Sequence, residues 1–318
     1  MSKAVRFERY GASDVLEVVE IERPEPGPGE VLVEVIASAI NPGEAKIRSG
    51  ALDAMFPTTF PSGEGSDLAG RVSAVGVGVQ GLDVGDDVIG FSDERSAHAT
   101  HTVVPAGNLV PKPAGVSWEE AATLFVAGTT ASAAVKAVGA AAGDVVVVAG
   151  ATGGVGLFAA QLAHRAGATV IGIARESDHD LLRSLHIVPV AYGEGVAERI
   201  RLAASIGGGP GAADGTAAID AFIDTVGTGQ VELALSLGVA PERIDTIADF
   251  DAVRTHGVKA EGNAAGGGAD TIRELAAQIV QGSLVVPIDT VYPLERVAEA
   301  YDHLEQKHVV GKIVLRME

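Results

Sequence analysis

Val145-Val-Val-Val-Ala-Gly-Ala-Thr-Gly-Gly-Val-Gly156 is an apolar run that enters a glycine-rich turn and leaves it in a helical pattern. A short, wholly apolar run reads as a strand buried on both faces. A strand that feeds a helix through such a turn is built to hold a pyrophosphate: unpaired backbone N–H groups and the positive end of the helix dipole face the anion. The expected binding segment is Ala151, Thr152, Gly153, Gly154, Val155 and Gly156. In the G-x-G-x-x-G pattern Gly153 permits the close approach and Gly156 lets the helix pack on the strand, while Ala151 stands at the first glycine position. A tight left-handed turn without a ligand is the other reading of the same residues.

The residues that follow favour the first reading. Positions 157–166 read as an amphipathic helix closed by Gly167, and 169–173 as the next buried strand, completing a βαβ unit. In such units an acidic residue at the end of the second strand takes the ribose hydroxyls, and a cation there takes a 2′-phosphate. Here the position is Ala174, followed by Arg175. The expected cofactor is therefore NADP(H), with Arg175 beside the 2′-phosphate. The adjacent Glu176 works against this, and a simply solvated Arg175 is the alternative.

Composition bounds the rest. A chain of 318 residues is long for one core, so two domains are expected. Apolar content of 47% with 20% charged residues fits a well-packed globular protein. A net charge of −19 without a Lys/Arg cluster argues against nucleic acid as a partner. The absence of cysteine excludes disulfides, thiolate metal sites and a cysteine nucleophile. No apolar run is long enough for a membrane span and the first residues lack a leader pattern, so a cytoplasmic protein without a membrane partner is expected.

Up to about residue 118 the chain alternates valines with Gly/Pro turns, at 15–21, 31–38, 71–79 and 86–91, which predicts a mainly β unit. Beyond Trp118 helix and strand alternate: a helix over 119–138, then strands at 145–149, 169–173, 188–191, 218–224, 243–247 and 258–260. That pattern builds a parallel sheet covered on both faces. A helix at 270–281 is followed by β-like stretches at 284–291 and 312–315, which predicts a return to the first domain.

Several spaced motifs carry a resemblance. Ile40-Asn-Pro-Gly-Glu-Ala-Lys-Ile-Arg-Ser-Gly50 is similar to an "INFxDxyxRxG" segment, and Phe60-Pro-Ser-Gly-Glu-Gly-Ser-Asp-Leu-Ala-Gly70 to "xPxxxGxExAG". Val75-Gly-Val-Gly-Val79, Val84-Gly-Asp-Asp-Val88, the glycine-rich turn and Val310-Gly-Lys-Ile-Val314 follow in order. Over its whole length the chain resembles the medium-chain dehydrogenase/reductase superfamily, and within it the zinc-free, NADPH-dependent quinone oxidoreductase branch. The resemblance implies an α/β protein: a GroES-like, mainly β domain over 1–120 completed by 283–318, and a doubly wound Rossmann domain over 121–282. It also implies a homodimer.

In zinc alcohol dehydrogenases of that superfamily the metal is held by a cysteine, by the histidine of a "GHE" segment and by a further Cys or acid. This chain has Gly65-Ser66-Asp67 there and no cysteine, so no metal is expected. His98 and His101 read as strand residues at a surface or pocket rim rather than as ligands. Without a Lewis acid the fitting substrate is one that accepts hydride directly, a quinone or an α,β-unsaturated carbonyl compound.

The resemblance places Asn41 beside the nicotinamide, with a turn residue before Pro42 as its plainer role. Lys46 falls where relatives carry a pocket tyrosine; it either stabilises enolate charge or is a solvated helix lysine. Thr129 and Thr130 match a nicotinamide-contacting segment, and Tyr192 a tyrosine near the 2′-phosphate. Thr225, Val226, Ile247, Ala248 and Phe250 follow the carboxyl ends of parallel strands, where nucleotides bind. Residues 263–268 read as a loop over the nicotinamide or as plain linker. Met55, Phe56, Phe60 and Phe91 are the candidate walls of an apolar substrate pocket. His186 stands where relatives place a glycine with φ > 0. Two other functions stay open: an NADP(H)-binding sensor or structural protein with little catalysis, and an enoyl reductase serving a biosynthetic partner.

Overall fold

The computed structural model describes residues 1–206, 218–306 and 308–317. These fall into two compact units, 1–126 with 268–318, and 127–267. The first opens with β1 (Ser2–Phe7), β2 (Glu17–Ile21), β3 (Glu30–Ala39), α1 (Pro42–Arg48), β4 (Ser62–Gly63) and β5 (Asp67–Val75). It continues through β6 (Asp87–Phe91), β7 (His101–Pro105), β8 (Leu109–Pro111) and α2 (Trp118–Ala121).

The second unit holds α3 (Thr130–Ala137), β9 (Val145–Ala149), α4 (Gly154–Arg165), β10 (Thr169–Ala174), α5 (His179–Ser184) and β11 (Val188–Ala191). α6 (Val196–Ile206), β12 (Ala221–Asp224), α7 (Gln230–Ser236), β13 (Ile244–Thr246) and α8 (Phe250–His256) complete it. The chain then returns to the first unit with α9 (Gly268–Val280), β14 (Ile288–Pro293), α10 (Val297–Gln306) and β15 (Lys312–Arg316).

In the first unit a sheet of order β14-β15-β3-β5-β6-β8, with β7 also paired to β3, lies with a smaller sheet β2-β1-β4. β15 runs antiparallel to β3 in the register Val314↔Ala39, and that pairing recruits the C-terminal strands. Valines of β3 and β5 meet Tyr301 of α10 and Ile313 and Leu315 of β15 in one apolar core. α9 packs on β6 and β8, so it belongs to this unit and not to the dinucleotide-type unit expected to run to 282.

The second unit is a parallel sheet of order β11-β10-β9-β12-β13. The strand order reverses between β9 and β12, the crevice where doubly wound sheets bind nucleotides. All five residues of β9 are buried, as its unbroken apolar run predicts.

Two expectations fail for local reasons. The strand expected at 258–260 is reduced to one bridge, Asp245↔Lys259, because the next N–H, of Glu261, bonds the Asp245 carboxylate (2.8 Å) instead of a ladder carbonyl. The helix expected over 119–138 is three pieces. α2 starts with a capping box between Ser117 and Glu120 and ends where Thr123 Oγ1 donates to the Glu120 carbonyl (2.7 Å). Leu124–Thr129 then winds as a π-helix before α3.

Candidate active site

At the carboxyl end of β9 the chain turns through Gly150 (φ +77°) and enters α4 with Gly153 as N-cap. A Cβ on Gly156 would lie 2.1 Å from the Gly150 carbonyl oxygen, so glycine there is what lets α4 close on β9. Gly153 differs: its Cβ would meet only that oxygen, at 3.4 Å, an ordinary contact. The fold leaves the space above Gly153 open, which suits a group laid on the turn. The first helical bond is made by the Leu157 amide to the Gly153 carbonyl (2.9 Å), so the amides of Gly154, Val155 and Gly156 precede it and carry the helix's positive end. Ala151 is buried and spends its amide on the Ile173 carbonyl (3.1 Å); it shapes the turn rather than donating outward. Thr152, also buried, donates its hydroxyl to Asp178 (3.2 Å).

Around this turn Ala174 is buried and Arg175 exposed. Tyr192, 39% exposed, sets its phenol beside the Gly150 backbone, and Arg175 acts on it through space; burial above all holds the phenol above its ordinary pKa. Thr225 donates to the Ala149 carbonyl (2.7 Å), whereas Val226 is half-exposed. The loops after β12 and β13 are fastened by Asp224, which in the sequence is visible only as the end of a strand. The buried Asp224 carboxylate accepts the amides of Val226 and Gly227 (both 2.8 Å) and the Thr246 hydroxyl (2.7 Å). Thr246 in turn receives the amides of Ala248 and Asp249. Ile247 and Ala248 are part-buried, and Phe250 begins α8 with 36% of its surface exposed. Gly266 is no plain linker: a Cβ there would lie 2.4 Å from the carbonyl oxygen of the buried Thr129. Thr130, also buried, opens α3.

In the first unit the expected catalytic residues part company. Lys46 is exposed on α1. Asn41, the N-cap of α1, is 2% exposed and fully engaged: Nδ2 donates to Asp67 (2.8 Å) and Glu44 (3.3 Å), and Oδ1 accepts from Lys312 (2.5 Å). Lys312 Nζ also donates to the Ile40 carbonyl (2.9 Å). Glu44 accepts four bonds, from the amides of Asn41 (2.9 Å) and Ser66 (2.8 Å), the Asn41 side chain and the Tyr301 hydroxyl (2.9 Å). Asp67 accepts the Val126 amide (2.9 Å) as well. Arg48, wholly buried, pairs with Glu64 (2.7 Å) and lies 4.3 Å over the Tyr301 ring. Burial raises all three carboxyls, Asp67 to about 6 and Glu64 to about 8, and pulls the Lys312 ammonium down.

His98 corrects the surface assignment. It is 1% exposed, packed against Gly65, with Nε2 3.3 Å from the Ala39 carbonyl oxygen; burial holds it near 4 and so neutral. His101 lies part-buried on β7. The aromatic walls expected of one cleft fall into two groups: Phe60 packs edge-on against Phe7 and Tyr10, while Phe91 stacks on Phe125 at 3.9 Å. Met55 and Phe56 are each 51% exposed. The charged core had one signal in the sequence, ionisable residues flanked by buried strand residues or glycines, as in Gly63-Glu-Gly65 and Gly311-Lys-Ile313.

Among the described residues no group of three or more His, Asp or Glu is placed to hold a metal ion, and no helix is long and apolar enough to cross a membrane. Residues 27–114 match the alcohol dehydrogenase GroES-like domain family, and 208–315 match the zinc-binding dehydrogenase family. A quinone oxidoreductase of Pseudomonas aeruginosa is 34% identical over 58% of this chain and 57% of its own length. An NADPH-dependent alkenal/one oxidoreductase of Arabidopsis thaliana is 28% identical over 98% of this chain and 79% of that protein. The quinone oxidoreductase structure from Coxiella burnetii superposes with a TM-score of 0.87 at 27% identity, covering 100% of this chain and 99% of that one. With the reversed strand order and the glycine turn already in place, these matches mean that the chain belongs to the medium-chain dehydrogenase/reductase superfamily, in its quinone oxidoreductase branch.

Proposed function

We propose that this protein is an NADPH-dependent reductase of quinones or α,β-unsaturated carbonyl compounds that works without zinc. The observation that carries the reading is the turn from Gly150 to Gly156, open above Gly153 and flanked by Tyr192 and Arg175 with no carboxylate at position 174. The amides of Gly154 to Gly156 would hold the pyrophosphate, and Arg175 with Tyr192 the 2′-phosphate, which repels a carboxylate and seeks a cation. Bound NADPH supplies hydride. Zinc independence rests on donor chemistry: cysteine is absent, and Ser66 offers a neutral hydroxyl where the metal-binding relatives have histidine. The exposed Lys46 and the saturated Asn41 leave electrophile activation to groups other than the Asn41 amide, which here positions the loop.

The test is NADPH and NADH titration followed by turnover with a naphthoquinone and an alkyl enone, with metal content measured on the same sample. At least tenfold preference for NADPH is expected, narrowed by Arg175→Ala. Preference for NADH, stoichiometric zinc, or inertness toward both electrophiles would overturn the reading.

A further inference from the structure

Tyr192 stands on a loop that is held from inside by one side chain. The loop joins the end of β11 to the start of α6, and Gly193 (φ +102°) and Gly195 (φ +76°) carry it through the left-handed region. Arg199, near the amino end of α6, turns its guanidinium back into this bend. Nη1 donates to the Glu194 carbonyl (2.8 Å), and Nη2 faces the carbonyls of Ala191 (2.9 Å), Tyr192 (3.1 Å) and Gly193 (3.3 Å). Four consecutive carbonyls thus converge on one planar cation, a fit that a fork of fixed N–H directions allows.

A solvated arginine on a helix has no reason to adopt this arrangement. A cation near the amino end of a helix opposes the helix dipole, so Arg199 is poorly placed for α6 itself. Its neighbour Glu198 pairs with Arg201 (3.9 Å), and among the described residues no carboxylate is in ion-pair contact with Arg199. Its Nε is buried without a hydrogen-bond partner, so the two terminal nitrogens make the whole clasp. A bend with two glycines in three residues is costly to order, and the four contacts offset that cost. They fix the backbone at Tyr192 and on both sides of it, so the phenol leaves the loop in one direction, beside the Gly150 backbone and in the field of Arg175.

We propose that Arg199 is a positioning residue for coenzyme discrimination: by clasping the 191–194 backbone it holds the Tyr192 hydroxyl where a 2′-phosphate is received, and so separates NADPH from NADH. The inference rests on the NADPH reading proposed above. Arg199 acts through Tyr192 and not on the coenzyme directly. The two coenzymes differ only in the 2′-phosphate, so a misplaced phenol weakens NADPH and leaves NADH nearly untouched. A residue needed only for the folding of the unit would weaken both alike. The clasp also lowers the cost of binding, because the loop is ordered before the coenzyme arrives.

The experiment titrates the full chain with NADPH and with NADH, followed by nicotinamide fluorescence, in the wild type, Arg199→Met, Arg199→Lys, Tyr192→Phe and the Arg199→Met, Tyr192→Phe double variant. Arg199→Met keeps the apolar stem but no donor; it should raise the NADPH Kd at least fivefold and the NADH Kd less than twofold. On the Tyr192→Phe background the same substitution should change the NADPH Kd less than twofold, because the hydroxyl it would misplace is already gone. Arg199→Lys keeps the charge but offers its hydrogens from a single atom, and should recover only part of the loss. Equal losses for the two coenzymes, additive effects in the double variant, or full recovery by lysine would refute the proposal. Hydrogen exchange of the 191–195 amides without coenzyme, read by mass spectrometry, should quicken at least tenfold in Arg199→Met, and unchanged exchange would refute it as well. If the wild type shows no preference for NADPH, the discrimination falls together with that reading, while the exchange rates still decide whether Arg199 holds the loop.

Discussion

The turn after β9 and the charged core around Asn41 solve opposite problems with opposite means. The first is made of backbone: contiguous residues, glycines whose missing Cβ atoms set the spacing, and amides left free at a helix start. The second is made of side chains brought from α1, the 62–67 segment, α10 and β15, more than 250 residues apart in sequence, and nearly every polar atom in it is spent. A site assembled from backbone tolerates little change of shape but carries no buried charge. One assembled from buried charges tolerates changes of shape and fails when a charge is deleted.

The largest expected effect therefore falls on the charged core. Lys312→Met keeps the length and apolar stem of the side chain but leaves Asp67 and Glu44 without their cation. Removing one partner of a buried ion pair costs roughly 3–5 kcal/mol. Chemical denaturation should show a loss of that size, and Lys312→Arg should recover part of it. A Lys312→Met protein within about 1 kcal/mol of wild type would mean that the charges are solvated after all and that the contrast between the two regions is false.

A smaller pair of effects tests the backbone side. Gly156→Ala drives a methyl group into the Gly150 carbonyl, 2.1 Å away, and should cost about 1–3 kcal/mol by overpacking. Gly153→Ala meets only an ordinary contact and loses a modest N-cap preference, under about 1 kcal/mol. Its methyl group instead occupies the space the pyrophosphate needs, so NADPH affinity should fall at least tenfold while the melting temperature stays near wild type. Equal destabilisation by the two substitutions would show that Gly153 serves the fold and not a ligand.

The two regions were unequally legible in the sequence for the same reason. β9, the turn and β10 are local, so an unbroken valine run and glycine spacing sufficed to place them. His186 was likewise readable as a residue at positive φ, and its φ is 61°. The π-helix at Leu124–Thr129 was not, because apolar periodicity does not distinguish a π-turn from the α-helix expected over the same residues. Nor was the burial of His98, which depends on a glycine 33 positions earlier making room for its ring. Asn41 was singled out in the sequence, but its saturation by Asp67, Glu44 and Lys312 is a product of tertiary packing alone. Tyr301 gave no signal, since a lone aromatic residue on an amphipathic helix reads as ordinary core.

A last effect, spread over a pH interval, tests the charge state of the buried core. Burial holds Glu64 up to about 8, against 4.5 for the same group in the unfolded chain. Between those values the folded protein binds a proton that the unfolded chain has released, so this contribution is complete below 4.5 and is lost as pH rises through about 8. His98 acts in the opposite sense: held near 4, it disfavours folding as pH falls below 6.5. Asp67, raised to about 6, adds to the decline with rising pH at the acid end of the range. From 6.5 to 8 Glu64 is the group of the three that still titrates, so stability should fall there with a slope approaching one proton, at most ~1.4 kcal/mol per pH unit. Melting temperatures of the wild type should decline across that interval, and those of Glu64→Gln should be flatter because the amide does not titrate. Identical slopes would place the titrating proton on a group other than Glu64.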